Sequence, residues 1–180
     1  MKKLLLSITC LLALSLQAQI YSLSAGTSQF YSSTILEDIE ATSEELSGLM
    51  DLQSKEFYFE IRIKSFHFAK DLMEEHFNEN YMESDRFPTG SFSGSYDTDL
   101  DFTKDGVYTT QLTGVLNIHG EKLKREIELT ITVTEGVITL NSDFRVELKD
   151  HKIKIPKIVF KNIAEVIDVK INAVMEPYKE

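Results

Sequence analysis

The chain has 180 residues, 42% apolar and 27% charged, the composition of one folded domain rather than a disordered tail or a fibre. Lys+Arg 19 against Asp+Glu 29 gives a net charge of −10, which argues against nucleic acid as a partner, because phosphates require a basic footprint.

The chain begins with a basic Met1-Lys2-Lys3 and an apolar run from Leu4 to Leu16, followed by Gln17-Ala18-Gln19. This is the pattern of a secretory signal peptide over 1–18, cut after Ala18, with a single mature domain over 19–180. The apolar run is shorter than the ~20 residues of a membrane span. Cleavage removes Lys2, Lys3 and Cys10, the only cysteine, so the mature charge becomes about −12 and no thiol chemistry remains.

The first strands are expected at Ser28–Ser33 and Asp38–Thr42, with Ser43–Asp51 a loop or one helical turn. In Lys55–Lys64, Phe57, Phe59, Ile61 and Ile63 alternate with charged neighbours, the period of a strand with one wet face. The parity switches at Phe66 and Phe68, which predicts a bulge or bend near Ser65. A helix opens at Asp71, with Glu74 three residues on in a capping-box arrangement. It presents Met73, Phe77 and Tyr81 on one face and is positioned to plug a barrel end.

Three long alternating runs follow, Val107–Ile118, Lys122–Thr134 and Val137–Lys149, joined by His119-Gly120 and Glu135-Gly136. X-Gly connections of two residues predict a β-meander. Strands of this length coil strongly, and closing them into a barrel removes the exposed edges that an open sheet would leave. A second helix is predicted from Pro156, carrying Val159, Ile163, Val166 and Ile167, before Asp168–Met175 returns to a strand that closes the barrel. The fold class is therefore all-β.

Candidate chemistry is sparse. The run Gly90-Ser91-Phe92-Ser93-Gly94 has Phe92 where a nucleophile elbow needs its attacking hydroxyl, so it reads as a strand. On a regular helix His76, Glu79 and Glu83 would share a face, the geometry of a metal site or an acid/base pair, and this is the enzyme alternative. His67 and His119 read as a strand-end and a hairpin-turn residue. The alternating apolar positions describe an interior that is either packed solid or hollow for an apolar ligand.

The stretch from Phe66 to Ser84, with His76-Phe77-Asn78-Glu79-Asn80-Tyr81 at its centre, then Phe87-Pro88 and Phe92-Ser93-Gly94, resembles the YceI-like family in its Bacteroidetes-type form. The hairpin Leu116-Asn117-Ile118-His119-Gly120 and the segment Ile153 to Ile167 are similar to the family's L-x-x-H-G and closing I-x-I-P motifs. The resemblance implies an extended lipocalin-like up-and-down barrel of about eight antiparallel strands with one or two short helices. It also implies a periplasmic, non-catalytic protein that sequesters or carries a polyisoprenoid, such as a quinone-type tail, or another long apolar lipid.

On that reading the guest contacts Phe57, Phe59, Ile61, Ile63, Phe92 and Leu112 along one part of the wall, and Leu116, Leu129, Ile131, Phe144 and Val146 along the rest. Polar contacts to a head group at the mouth fall to His67, His76, Asn80 and Arg86. No metal or cofactor is expected, and the partners left open are a transient membrane contact and a homodimer. A stress-response or structural role is the remaining alternative.

Overall fold

Ten strands form one antiparallel sheet in the computed structural model, which describes residues 20–156 and 162–179. They are β1 (Ile20–Ser33), β2 (Asp38–Ser43), β3 (Ser47–Asp51), β4 (Glu56–Arg62), β5 (His67–Phe68), β6 (Thr89–Ser95), β7 (Gly106–Ile118), β8 (Glu121–Thr134), β9 (Val137–Glu147) and β10 (Val166–Pro177). A six-residue helix, α1 (Asp71–His76), continues into one π-helical turn, Phe77–Tyr81. The predicted signal peptide falls outside the described residues.

The barrel closes where β10 pairs with β1. Strands β2 and β3 act as one interrupted strand: Ser28 faces Ser43 and Ser22 faces Leu49, the same register on both sides of the gap. Strands β4 and β5 are likewise one strand broken by the 3-10 turn Ile63–Ser65, so eight staves make the wall in up-and-down order.

The expected bend near Ser65 is this 3-10 turn, and it belongs to a line of irregularities. The gap at Glu44–Leu46 lies on the adjoining stave, and a register shift between Leu23 and Ala25 lies in β1, the stave beyond it. Inward parity changes across that line, from Tyr21 and Leu23 to Ser28 and Ser32 in β1.

That change of parity is why Ser43–Asp51 reads as a loop in the sequence although its second half, Ser47–Asp51, is the strand β3: Met50 points inward, but the alternation restarts at the gap and Gly48 hides it. The second predicted helix also needs correction. Residues 157–161 lie outside the described set, 162–165 form a turn, and Val166 and Ile167 already belong to β10. Ile163, Val166 and Ile167 fit a helical stripe by coincidence, because the inward period-2 series Ile167, Val169, Ile171, Ala173 starts there.

The meander is as the periodicity predicts. Its hairpins turn on His119-Gly120 and Glu135-Gly136, all four residues at positive φ, the type I′ geometry that matches strand twist. The two backbones approach closely where Gly94 faces Gly114 across β6 and β7. A Cβ on Gly94 would lie 2.1 Å from the Thr113 carbonyl oxygen, and one on Gly114 would lie 2.2 Å from that of Ser93. No other residue fits this pair of positions.

The interior is solid at one end. Met50, Phe57, Tyr96, Phe102, Ile131 and Val133 are buried in a single cluster with Ile138 and Met175. Tyr21 meets Phe102 edge to face at 4.9 Å. The Tyr96 hydroxyl donates to the Asp51 carbonyl at 3.1 Å, and burial, then the charge of Asp51, pushes its pKa up to about 12.

Candidate ligand-binding site

Above that solid end lies a cavity of about 540 Å³. On four of the eight staves the side chains pass from cavity wall to packed floor in one step. On β8 the step falls between Leu129 and Ile131, on β9 between Leu140 and Ile138, on β10 between Ala173 and Met175, and on β4 between Phe59 and Phe57. The wall is overwhelmingly apolar because alternate positions of eight staves converge on it. Of the four serines that interrupt it, two are engaged: Ser142 donates to the Glu128 carbonyl at 2.6 Å, and Ser32 accepts from the Ala164 N–H at 2.9 Å.

The other end is covered by α1 and its π-helical extension. Lys70 occupies the N-cap position without a side-chain cap, so the predicted capping box does not form. Glu74 reaches back instead, accepting from the Phe68 N–H at 3.2 Å and contacting His67 Nδ1 at 3.3 Å. The helical segment is fastened by Phe77, which inserts among Phe30, Phe66 and Phe68 with ring centroids 5.1–5.8 Å apart. All four rings border the cavity. The segment ends at Glu83, in the left-handed conformation, with the Ser84 N–H donating to the Asn78 carbonyl at 2.8 Å.

The cavity reaches solvent beside this cover, where Leu72, exposed at 60%, and His76 line it. Three segments meet at that mouth. Lys70 Nζ donates to Glu37 Oε1 at 3.0 Å, and Asn162 Nδ2 donates to Glu37 Oε2 at 3.2 Å. The lysine, then the asparagine amide, holds the Glu37 carboxyl below the usual carboxylate range.

Of the residues assigned to a guest from sequence, Phe59, Ile61, Ile63, Phe92, Leu112 and Leu116 border the cavity, as do Leu129, Phe144 and Val146. Phe57 and Ile131 do not; they form part of the floor. Among the polar candidates only His76 lies at the cavity. His67 is exposed beside Glu74, Asn80 is exposed, and Arg86 packs over the Phe87 ring at 4.9 Å and contacts Glu83 at 3.5 Å.

Glu83 is turned away from His76 toward His119 Nε2, 3.3 Å from its Oε1, so the His76, Glu79 and Glu83 face of the enzyme alternative does not assemble. The π-helical turn after His76 changes the spacing that a regular helix would give. Among the described residues no three or more His, Cys, Asp or Glu side chains converge as a metal centre would need.

Sequence reasoning did not assign Phe30, Phe66, Phe68, Glu37, Lys70 or Asn162 to the site. The parity switch at Phe66 was the one available signal for the aromatic group. The mouth residues come from segments up to 125 positions apart, which no local pattern reveals.

No curated protein matches the chain. Solved structures share its fold. A polyisoprenoid binding domain from Saccharophagus degradans, implicated in plant cell wall breakdown, superposes with a TM-score of 0.74 at 14% identity, covering 88% of this chain and 98% of that one. BcnA of Burkholderia cenocepacia gives 0.68 at 13% identity, covering 83% and 95%. The YceI protein of Campylobacter jejuni gives 0.55 at 18% identity, covering 76% and 82%. The family profile described as YceI-like domain matches residues 21–175, and the chain belongs to that family.

Proposed function

We propose that this protein is a periplasmic carrier that sequesters a polyisoprenoid, or another long apolar lipid, inside its barrel. The observation that carries the reading is the apolar cavity of about 540 Å³ with a mouth beside α1. A guest without hydrogen-bonding groups suits a wall whose Ser32 and Ser142 are already engaged, and each CH₂ it buries contributes roughly 0.8 kcal/mol. Family membership and the polyisoprenoid-binding description of the Saccharophagus degradans domain support the same ligand class.

Binding of this kind needs no catalytic residue. The polar end of the guest, a quinone-type ring or an alcohol, belongs at the mouth, within reach of Lys70, His76 and Asn162. Export to the periplasm rests on the signal-peptide pattern of residues 1–18. Loading at a membrane surface is consistent with the exposed Ile35, Leu36 and Leu72, the first two adjoining Glu37 and the third lying near its partner Lys70.

The test is extraction of the purified protein with organic solvent followed by mass spectrometry. A bound apolar chain is expected. An empty extract, together with failure to take up an apolar fluorescent probe, would end the carrier reading.

A further inference from the structure

We infer that the tip of the β1–β2 hairpin, Thr34–Glu37, enters the surface of a zwitterionic lipid bilayer and sets the cavity mouth against the source of its guest. The inference rests on the carrier reading above and names the surface from which that guest is drawn. Among the described residues, the leucines and isoleucines that are more than half exposed are Ile35, Leu36 and Leu72, all at the mouth end of the barrel. Ile35 is fully exposed and Leu36 63% exposed, in a turn of the kind that Gly, Asn, Asp and Ser usually fill. Lipid favours two neighbouring aliphatic side chains over water in proportion to their apolar area.

The turn also carries its own hydrogen bonds. The Thr34 N–H donates to the Glu37 carbonyl at 3.1 Å, and the Leu36 and Glu37 N–H groups donate to the Thr34 hydroxyl oxygen at 3.3 and 3.2 Å. Donors already paired lose little when water is withdrawn, so this tip leaves water at smaller cost than an open loop. It is continuous with the mouth as well. Glu37, next to Leu36, borders the cavity and is bonded to Lys70 at the start of the cover, and Leu72 borders the cavity too. An apolar guest passing from lipid to the barrel wall therefore crosses no stretch of open water.

Charge selects the headgroup. Exposed Asp38 and Asp71 flank the tip, Lys70 is neutralised by Glu37, and the whole chain carries −10. An anionic surface repels such an end, whereas phosphatidylcholine or phosphatidylethanolamine does not.

The protein contains no tryptophan, so Leu36→Trp supplies a single reporter at the tip. Fluorescence of the mature protein is recorded with phosphatidylcholine vesicles, with and without lipids brominated along the acyl chain. A blue shift and quenching by the brominated lipid are expected. Val137→Trp, exposed at the packed end of the barrel, should show neither. Replacing part of the phosphatidylcholine with phosphatidylglycerol should weaken the response at least about threefold at low ionic strength. A silent Leu36→Trp, or equal responses at the two ends, overturns the docking. So does a response that requires phosphatidylglycerol, and so does a shift that grows with protein concentration without vesicles, which assigns the tip to a second copy of the chain.

Loading separates the docking from the carrier reading beneath it. Neither Ile35 nor Leu36 borders the cavity. In the double variant Ile35→Ser/Leu36→Ser, transfer of an apolar fluorescent probe from vesicles should slow about tenfold, while affinity for the same probe delivered from cyclodextrin stays unchanged. Unslowed transfer overturns the docking and leaves the carrier reading intact. Failure of the unsubstituted protein to take up the probe by either route overturns the carrier reading and the docking with it.

Discussion

Phe77 stacks on Phe30 with ring centroids 5.3 Å apart and planes 28° from parallel, so the helix over the mouth is fastened directly to the first stave of the wall. The same ring touches Phe66 and Phe68, which places one side chain at the junction of cover, wall and cavity.

Phe77→Ala is therefore expected to lower stability by about 2–3 kcal/mol, at or below the bottom of the range for a buried Phe→Ala because Phe77 is only half-buried. It should also speed release of a bound apolar probe. Chemical denaturation and stopped-flow displacement measure the two effects. Unchanged release would show that guests leave by another route.

Gly94→Ala and Gly114→Ala each force a Cβ against a backbone carbonyl oxygen at 2.1–2.2 Å, where no rotamer change gives relief. Each should cost at least about 3 kcal/mol, in the upper range for single substitutions. Gly136→Ala is the contrast: nothing lies within 4 Å, and only its φ of +79° penalises the change, by about 1 kcal/mol. Denaturant midpoints for the three variants decide whether close approach or backbone conformation dominates.

Thr110 lies in the floor at 3% exposure, and its hydroxyl has no hydrogen-bond partner. Thr110→Val keeps the shape and removes an unmatched polar atom, so a gain of about 1 kcal/mol is expected. A loss of stability in denaturant titration would mean that the hydroxyl is matched after all.

His151 is buried beside the hairpin turn of His119, whose Nδ1–H donates to the His151 carbonyl at 3.0 Å. Burial pushes the His151 imidazole below its usual 6.5, with Arg125 adding to the effect, while bonds to the Ile118 and Glu121 backbone and the charge of Asp150 oppose it. The unfolded chain therefore binds the proton more readily. Stability from this residue is complete above pH 6.5 and is lost as pH falls through its lower folded value. Asp101, held at about 2 by Lys104 and Thr103, acts in a separate window below its ordinary 3.8. Melting temperatures measured between about pH 4 and pH 8 should fall on the acid side of neutrality, and His151→Gln should flatten that step.

Much of this barrel is legible from its residues. The meander from Gly106 to Glu147 keeps strict alternation and X-Gly turns, so its staves and inward faces follow from period alone. Near the interrupted staves local pattern misleads, because parity restarts at Glu44–Leu46 and Ile63–Ser65. Depth is the quantity that period cannot carry. Phe57 and Phe59 look equivalent in sequence, yet one packs in the floor and the other borders the cavity, a difference set by what the remaining staves contribute at each level. The polar mouth depends on a tertiary meeting of Glu37, Lys70 and Asn162 that has no sequence signature.

A barrel packed solid at one end and hollow at the other separates persistence from adaptability. Amides around Ile131 and Ile138 should be the last to exchange with deuterium, while those flanking the covering helix exchange early, giving a gradient of opening along one continuous sheet. Substitution of Ala173 or Leu140, which border the cavity, would then resize the receptive half while the residues below them stay packed.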